Sequence, residues 1–136
     1  LLTMQALSKG KITVFGGDQV RPNIHIDDIT DLYLHLIDHP EVTGVYNAGF
    51  ENISIMDIAK LVIKYVPVEI AVTPSNDPRS YRVNSDKLLA TGFKPKKTVE
   101  DAVQEIIEKY RSGVLKDDEH FHNLKWMQKT VLVKQT

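Results

Sequence analysis

The stretch RPNIHIDD, residues 21–28, brings together side-chain types that do chemistry: the cation Arg21, the imidazole His25, and the carboxylates Asp27 and Asp28. Three interpretations fit this pattern. A histidine beside carboxylates can transfer protons. An arginine on a strand can bind an anion, and a carboxylate after a strand can cap the following helix. The residues of this stretch leave all three interpretations open.

A second arginine-bearing segment is NDPRSYR, residues 76–82, in which Arg79 is followed by Tyr81. A guanidinium group offers paired, planar donors that match phosphate oxygens, so two arginines could straddle a diphosphate. The competing interpretation is that Arg21 and Arg79 make ordinary surface ion pairs, each of which contributes little to stability.

The elements that must position these residues alternate between short strands and capped helices. The pattern predicts strands at residues 11–15, 23–26, 45–49 and 68–73, and a polar loop from residue 75 that runs into a further short strand. The segment 45–49 is an apolar run typical of a strand buried on both faces. Helices are predicted before Gly10, after Asp27 or Asp28, after Ser54, after Ser85 and after Thr98, where those residues would act as caps. This order predicts an α/β fold, or a mixed α+β fold for the chain as an isolated fragment.

Composition excludes several classes of protein. The 136 residues carry a net charge of -1, which gives no reason to expect nucleic acid or an anionic membrane as a partner. There is no cysteine, so disulfides and thiolate metal sites are excluded. No apolar run is long enough to cross a bilayer. We therefore expect a cytoplasmic protein that binds neither nucleic acid nor membranes.

Several familiar catalytic motifs are missing from the sequence. It contains no G-x-G-x-x-G turn, no tyrosine followed four positions later by lysine, and no HExxH. His120 and His122 could hold a metal beside the acidic residues 117–119, but alternating histidines in a charged tail are more typical of a solvated surface. We therefore predict no catalytic, cofactor-binding or metal-binding residue in this chain.

The order of motifs resembles a known family. FGGDQ-x-RPNIHIDDITD is followed by GVYNAG, by the helix ISIMDIAKLV, and by DPRSYRVNSDKLLATGFKPKKTVEDAV. This order is similar to the C-terminal, substrate-binding part of extended short-chain dehydrogenase/reductase enzymes, the NAD-dependent nucleotide-sugar epimerases and dehydratases. The resemblance covers residues 1–112 and implies a Rossmann-type parent whose N-terminal, cofactor-binding half is missing here. Residues 113–136 form a charged tail that we predict to be helical.

The resemblance implies a set of substrate-binding residues: Thr13, Phe15, Arg21, Asn23, Asp77, Arg79 and Tyr81. According to this resemblance, Arg21 and Arg79 hold the diphosphate, and Asn23 makes a further contact with a phosphate. Asp77 binds the ribose within a loop that closes over the ligand, and the strand at 13–15 contacts the base through its backbone. His25 and Asp28 match a stretch that anchors a strand–helix junction, so their implied role is structural.

The resemblance also implies a function for a longer parent enzyme. That enzyme would use NAD or NADP, held by the missing half, to act on a nucleoside-diphosphate sugar, and it would dimerise through that half. The chain by itself would be inactive and hold no cofactor, because the glycine-rich loop and the Tyr-x-x-x-Lys pair lie upstream in family order. Two alternatives remain open: a non-catalytic nucleotide-sugar-binding or regulatory module, and a reductase part with a non-nucleotide substrate.

Overall fold

The computed structural model describes residues 1–118, 122 and 126–129. Within residues 1–118 the chain forms five helices and four strands: α1 (Leu2–Lys9), β1 (Lys11–Phe15), β2 (Val20–Asn23), α2 (Ile26–Asp38), β3 (Glu51–Ser54), α3 (Ile55–Tyr65), β4 (Glu69–Thr73), α4 (Asp86–Leu89) and α5 (Val99–Arg111). The mixed α/β class is confirmed. Of the tail predicted to be helical, residues 126–129 have helical backbone, and most of the remainder lies outside the described residues.

The larger hydrophobic core forms around a parallel pair of strands. β1 pairs with β4 in parallel, with Ile12 opposite Ile70. Because side chains alternate along a strand, Ile12 and Val14 share one face, and both are fully buried. Side chains of α1, α3 and α5 pack against that face: Ala6, Ala59, Val62, Val103 and Ile107.

A second, smaller sheet carries Arg21. Strand β2 pairs with β3 in antiparallel register, and Arg21 lies opposite Ile53. Helix α2 packs through Leu32 against Leu88 and Phe93, which form a separate apolar cluster. Hydrogen bonds to β3 hold the strand that carries Arg21 along one edge.

Three predicted caps are confirmed. Gly10 ends α1 in the left-handed conformation at φ 65°. The Ser54 side chain accepts a hydrogen bond from the Asp57 backbone N–H at the start of α3. Thr98 and Asp101 form a capping box at the start of α5. In each case the capping residue and its hydrogen-bond partner are three or four residues apart in the sequence.

Two predictions around residues 20–28 were wrong. The strand lies at Val20–Asn23 rather than 23–26, because its partner β3 pairs with that segment. The N-cap of α2 is His25 rather than Asp27 or Asp28, since the imidazole Nδ1 accepts from the Asp27 backbone N–H at 3.1 Å. A histidine ring nitrogen can cap a helix as a carboxylate does, but this use is uncommon.

The two other predicted strands are also wrong, and Ser85 lies at the predicted N-cap position of α4 without a side-chain capping hydrogen bond. Residues 45–49 form no strand, and Val45 is 87% exposed. A strand buried on both faces needs parallel neighbours, and no described strand pairs with this segment. The stretch ahead of α4 is likewise irregular, and the Ser85 side chain makes no capping hydrogen bond. Strand β3, in contrast, was not predicted.

The capping box of α5 predicts a pH effect. The hydroxyl and the backbone N–H of Thr98 donate to the Asp101 carboxylate and lower the pKa of that carboxyl below its usual range. A carboxyl with a lowered folded-state pKa stabilises the fold above its unfolded pKa, and this stabilisation is lost as the pH falls through the folded value. Asp101→Asn should therefore lose less stability than the wild type between about pH 5 and pH 2, measured by urea unfolding. Equal losses in the two proteins would contradict this prediction.

Among the described residues, no helix combines the length and the apolar character needed to cross a membrane.

Candidate functional site

The two arginines singled out in the sequence meet at one carboxylate. The guanidinium of Arg79 approaches Asp77 in a bidentate manner, with Nε 2.7 Å from Oδ1 and Nη2 2.8 Å from Oδ2. From strand β2, Nη2 of Arg21 lies 3.4 Å from the same Oδ2. The side chains are 58 residues apart in sequence and face a single anionic position.

Arg21 is held in place more firmly than Arg79. Its Nη1 donates to the backbone carbonyls of Val20 and Arg79, and its guanidinium carbon lies 5.1 Å from the centre of the Tyr81 ring. The Arg21 side chain is 23% exposed, whereas that of Arg79 is 76% exposed. Arg21 is thus a preorganised donor, and Arg79 is an adaptable one.

The loop that carries Asp77 and Arg79 follows the edge of β2. The Tyr81 backbone N–H donates to the Val20 carbonyl at 3.2 Å, and the Val20 N–H donates to the Ser80 hydroxyl at 3.1 Å. The Gln19 amide contacts both the Gly17 N–H and the Asp77 carbonyl. Gln19 and Ser80 lie within the FGGDQ and DPRSYRV motifs, but the resemblance assigned them no role, so their contribution to the site was not predicted.

The electrostatics of the cluster favour a bound anion. Hydrogen bonds from Arg79 hold the pKa of Asp77 well below its usual range. The same contact raises the pKa of Arg79. Two guanidinium groups face one carboxylate, so the cluster carries one excess positive charge near its surface. Arginines in this arrangement bind phosphate oxygens well.

The other predicted site residues lie in a different place. Thr13, Phe15 and Asn23 line an apolar hollow of about 450 Å³ that also involves residues of α1, α3 and α5. The Thr13 backbone N–H donates to the Gln5 side chain at 2.8 Å. The amide of Asn23 donates to the backbone carbonyls of Arg21 and Glu51, so this side chain orients the strand. The structure brings Arg21, Asp77, Arg79 and Tyr81 together, and it places this second group along the hollow.

His25 and Asp28 hold backbone in this structure. The Asp28 carboxylate is buried, and it accepts from the backbone N–H groups of Lys96 and Lys97 at 2.8 and 3.1 Å. His25 caps α2 through Nδ1, and its Nε2 lies 3.4 Å from a carboxylate oxygen of Glu105. The stretch 21–28 therefore combines an anion-facing arginine with a strand–helix junction.

Possible metal ligands among the described residues already have protein partners. His25, Asp27 and Glu105 lie close enough to share an ion. However, Nδ1 of His25 accepts from the Asp27 N–H, and Glu105 accepts from Lys97 Nζ at 2.6 Å, which lowers the pKa of Glu105. In the tail, His122 Nε2 lies 3.0 Å from Asp117, and His120 lies outside the described residues.

Comparison with known proteins gives both relatives and similar folds. No protein-family model matches the chain. It is 26% identical over 118 residues to a probable GDP-L-fucose synthase 1 from Oryza sativa subsp. japonica, covering 82% of this chain and 36% of that protein. It is 30% identical over 97 residues to a dihydroflavonol 4-reductase from Solanum lycopersicum, covering 68% of this chain and 25% of that protein.

Two solved structures illustrate the fold. A UDP-glucose 4-epimerase from Thermotoga maritima, solved with UDP-glucose, has a TM-score of 0.70 at 22% identity, and the match covers 84% of this chain and 39% of that one. An NAD-dependent NDP-hexosamine 5,6-dehydratase involved in tunicamycin biosynthesis has a TM-score of 0.71 at 22% identity, with coverage of 82% and 38%. At this identity the structures show the fold.

Together, these structures show that the chain has the fold of part of a Rossmann-type α/β protein. The chain is related to the extended short-chain dehydrogenase/reductases, as its motif order predicts. It spans about a quarter to a third of the length of the two curated relatives.

Proposed function

We propose that the chain is the nucleotide-sugar-binding portion of an NAD- or NADP-dependent nucleotide-sugar epimerase or dehydratase. The observation that carries this proposal is the convergence of Arg21 and Arg79 on one anionic position. An epimerase and a dehydratase of nucleotide sugars are among the proteins with similar folds. In this proposal residues 1–112 form the substrate-binding part, and residues 113–136 form a peripheral tail.

The residues of the cluster have distinct roles in the proposed complex. Arg21 and Arg79 donate to the oxygens of the diphosphate, and the Tyr81 ring supports the Arg21 guanidinium from one side. Asp77 accepts from the ribose hydroxyl groups. This role requires its carboxylate to leave the two guanidinium groups, which hold it in the free protein. Thr13 and Phe15 lie on β1, whose backbone faces the base.

The residues present do not fit a dinucleotide cofactor. A dinucleotide-binding turn leads from a strand through glycines into a helix whose N-terminus faces the pyrophosphate. Here Gly16 and Gly17 follow β1, but the chain then enters β2. We therefore assign the cofactor, the catalytic tyrosine and lysine, and the dimer contacts to a part of the parent enzyme outside this chain. By this assignment the chain alone has no measurable turnover.

Calorimetric titration with UDP, dTDP, GDP and CDP tests the proposed binding. At least one of the four should bind the chain, and Arg21→Ala and Arg79→Ala should each weaken that binding by about tenfold or more, because each removes a charged donor from the diphosphate. The loss should be larger for Arg21, which is more buried and better ordered.

Arg82→Ala is the matched control. Arg82 lies three residues from Arg79 on the same exposed segment, and its contact is a 3.4 Å hydrogen bond to the Asn52 carbonyl. The control changes the net charge by the same amount and should leave affinity within about twofold. Equal losses in all three variants would show a general charge effect and would contradict a specific diphosphate site.

A second candidate is a reductase part with a non-nucleotide substrate. Two observations favour it: the 30% identity to a dihydroflavonol 4-reductase, and the apolar hollow lined by Thr13 and Phe15. In this case a dihydroflavonol should bind while the four nucleoside diphosphates do not, and Phe15→Ser should weaken that binding. The same calorimetric series therefore separates the two candidates.

A further inference from the structure

The Asp77 carboxylate occupies the position that the proposed diphosphate would take. Its Oδ1 accepts from Nε of Arg79 at 2.7 Å and from the Arg79 backbone N–H at 3.1 Å, and its Oδ2 lies 2.8 Å from Nη2 of Arg79 and 3.4 Å from Nη2 of Arg21. In the free protein this carboxylate therefore neutralises one of the two charges that an incoming anion needs. A ligand phosphate cannot reach the same donors unless the carboxylate moves away.

The structure allows that movement. Asp77 and Arg79 lie in a segment without helix or strand, between β4 and α4. The Asp77 side chain is one-third exposed, and Arg79 has Asp77 as its ion-pair partner. Arg21, in contrast, keeps its contacts with the Val20 and Arg79 carbonyls and with the Tyr81 ring when Asp77 departs. Ligand binding would therefore replace the Asp77 carboxylate with a phosphate as the counter-ion of Arg21, and the Arg21 guanidinium would stay where it is.

We infer that Asp77 is a displaceable internal counter-anion that lowers the affinity of the two-arginine site for anions and keeps singly charged anions from occupying it. An anion with a single charge replaces the carboxylate without any gain in charge pairing. A diphosphate carries at least two charges and pairs with both guanidinium groups, so it gains an additional contact. The inference rests on the proposed function, and it adds a mechanism by which the site selects diphosphates over singly charged anions.

Asp77→Asn tests this inference, with inorganic pyrophosphate as the probe. The side chain keeps its shape and loses its charge, so pyrophosphate should bind about three- to tenfold more tightly than to the wild type, as expected for removal of an exposed ion pair that competes with the ligand. Nitrate, a singly charged anion, should show no measurable binding to the wild type and should bind Asp77→Asn, because the competing carboxylate charge is gone. Asp77→Glu retains the charge and should give no tightening.

Asp86→Asn is the matched control for net charge. Asp86 is an exposed carboxylate at the start of α4 that accepts from the Asn84 side chain, so its loss should leave pyrophosphate affinity within about twofold. If the wild type binds pyrophosphate and Arg21→Ala does not, but Asp77→Asn binds no more tightly, the counter-anion role is overturned and the proposed site stands. If the wild type binds neither pyrophosphate nor any nucleoside diphosphate, the proposed function fails and the inference fails with it.

Discussion

Replacing Asp28 with alanine is expected to lower the free energy of unfolding by about 2–4 kcal/mol, because the change removes a buried, hydrogen-bonded charged acceptor. The Asp28 side chain is 1% exposed and accepts from the backbone N–H groups of Lys96 and Lys97. These bonds tie the first turn of α2 to the segment that leads into α5. Alanine would leave both N–H groups without this acceptor.

Asp38→Ala on the same helix is the control for the Asp28 variant. Asp38 is exposed near the end of α2, and the same substitution there should change stability by no more than about 0.5 kcal/mol. Urea unfolding of the two variants, followed by circular dichroism, measures the difference. Equal midpoints would mean that the carboxylate of Asp28 contributes nothing specific and that the junction is held by packing.

Local signals in the sequence predicted the parts of the fold that local physics decides. Helix α3 begins where Ser54 precedes Asp57, and α5 begins at the Thr98–Asp101 pair, as predicted from spacing. In these cases the capping side chain and the backbone group that it satisfies are three residues apart. The competing conformations are few, so the pattern indicates the structure directly.

Several predictions failed where the deciding partner is distant in sequence. Ser85 has the spacing of a helix cap, yet its hydroxyl donates to the Gly49 carbonyl at 3.0 Å and accepts from the Gly49 N–H at 3.1 Å. These contacts span 36 residues. Gly49 also lies so close to Pro22 and Val83 that a Cβ atom would come within 2.8 Å of each. The sequence pattern of residues 45–49 gives no indication of these contacts.

The candidate site was likewise predicted from the sequence only in part. The sequence indicated that Arg21 and Arg79 suit an anion, and the family resemblance placed them in one site. It did not indicate that Asp77 would lie between them, because the loop has no periodic pattern and several turns would suit an Asp-Pro-Arg segment. The assignment of His25 and Asp28 to structural roles followed from the resemblance, whereas the role of His25 as the cap did not.

The second large effect is expected at Leu88. Leu88→Ala should lower the free energy of unfolding by about 2–5 kcal/mol, as is typical for truncation of a fully buried leucine whose surroundings relax only in part. Leu88 is completely buried and packs with Leu32 of α2 and with Phe93. This cluster holds α2 against the segment that follows the loop of Asp77 and Arg79. Truncation of Leu88 therefore removes much of the apolar packing between them.

Leu89→Ala provides a close control, because it makes the same substitution one position along the same short helix. Leu89 is 39% exposed, so its truncation should lose less stability than that of Leu88, because Leu89 buries less apolar area and its truncation leaves no enclosed cavity. Both variants carry the same change in helix propensity, and the difference between their urea midpoints therefore reports burial. If the two midpoints coincide, the cluster of Leu32, Leu88 and Phe93 does not hold α2 in place.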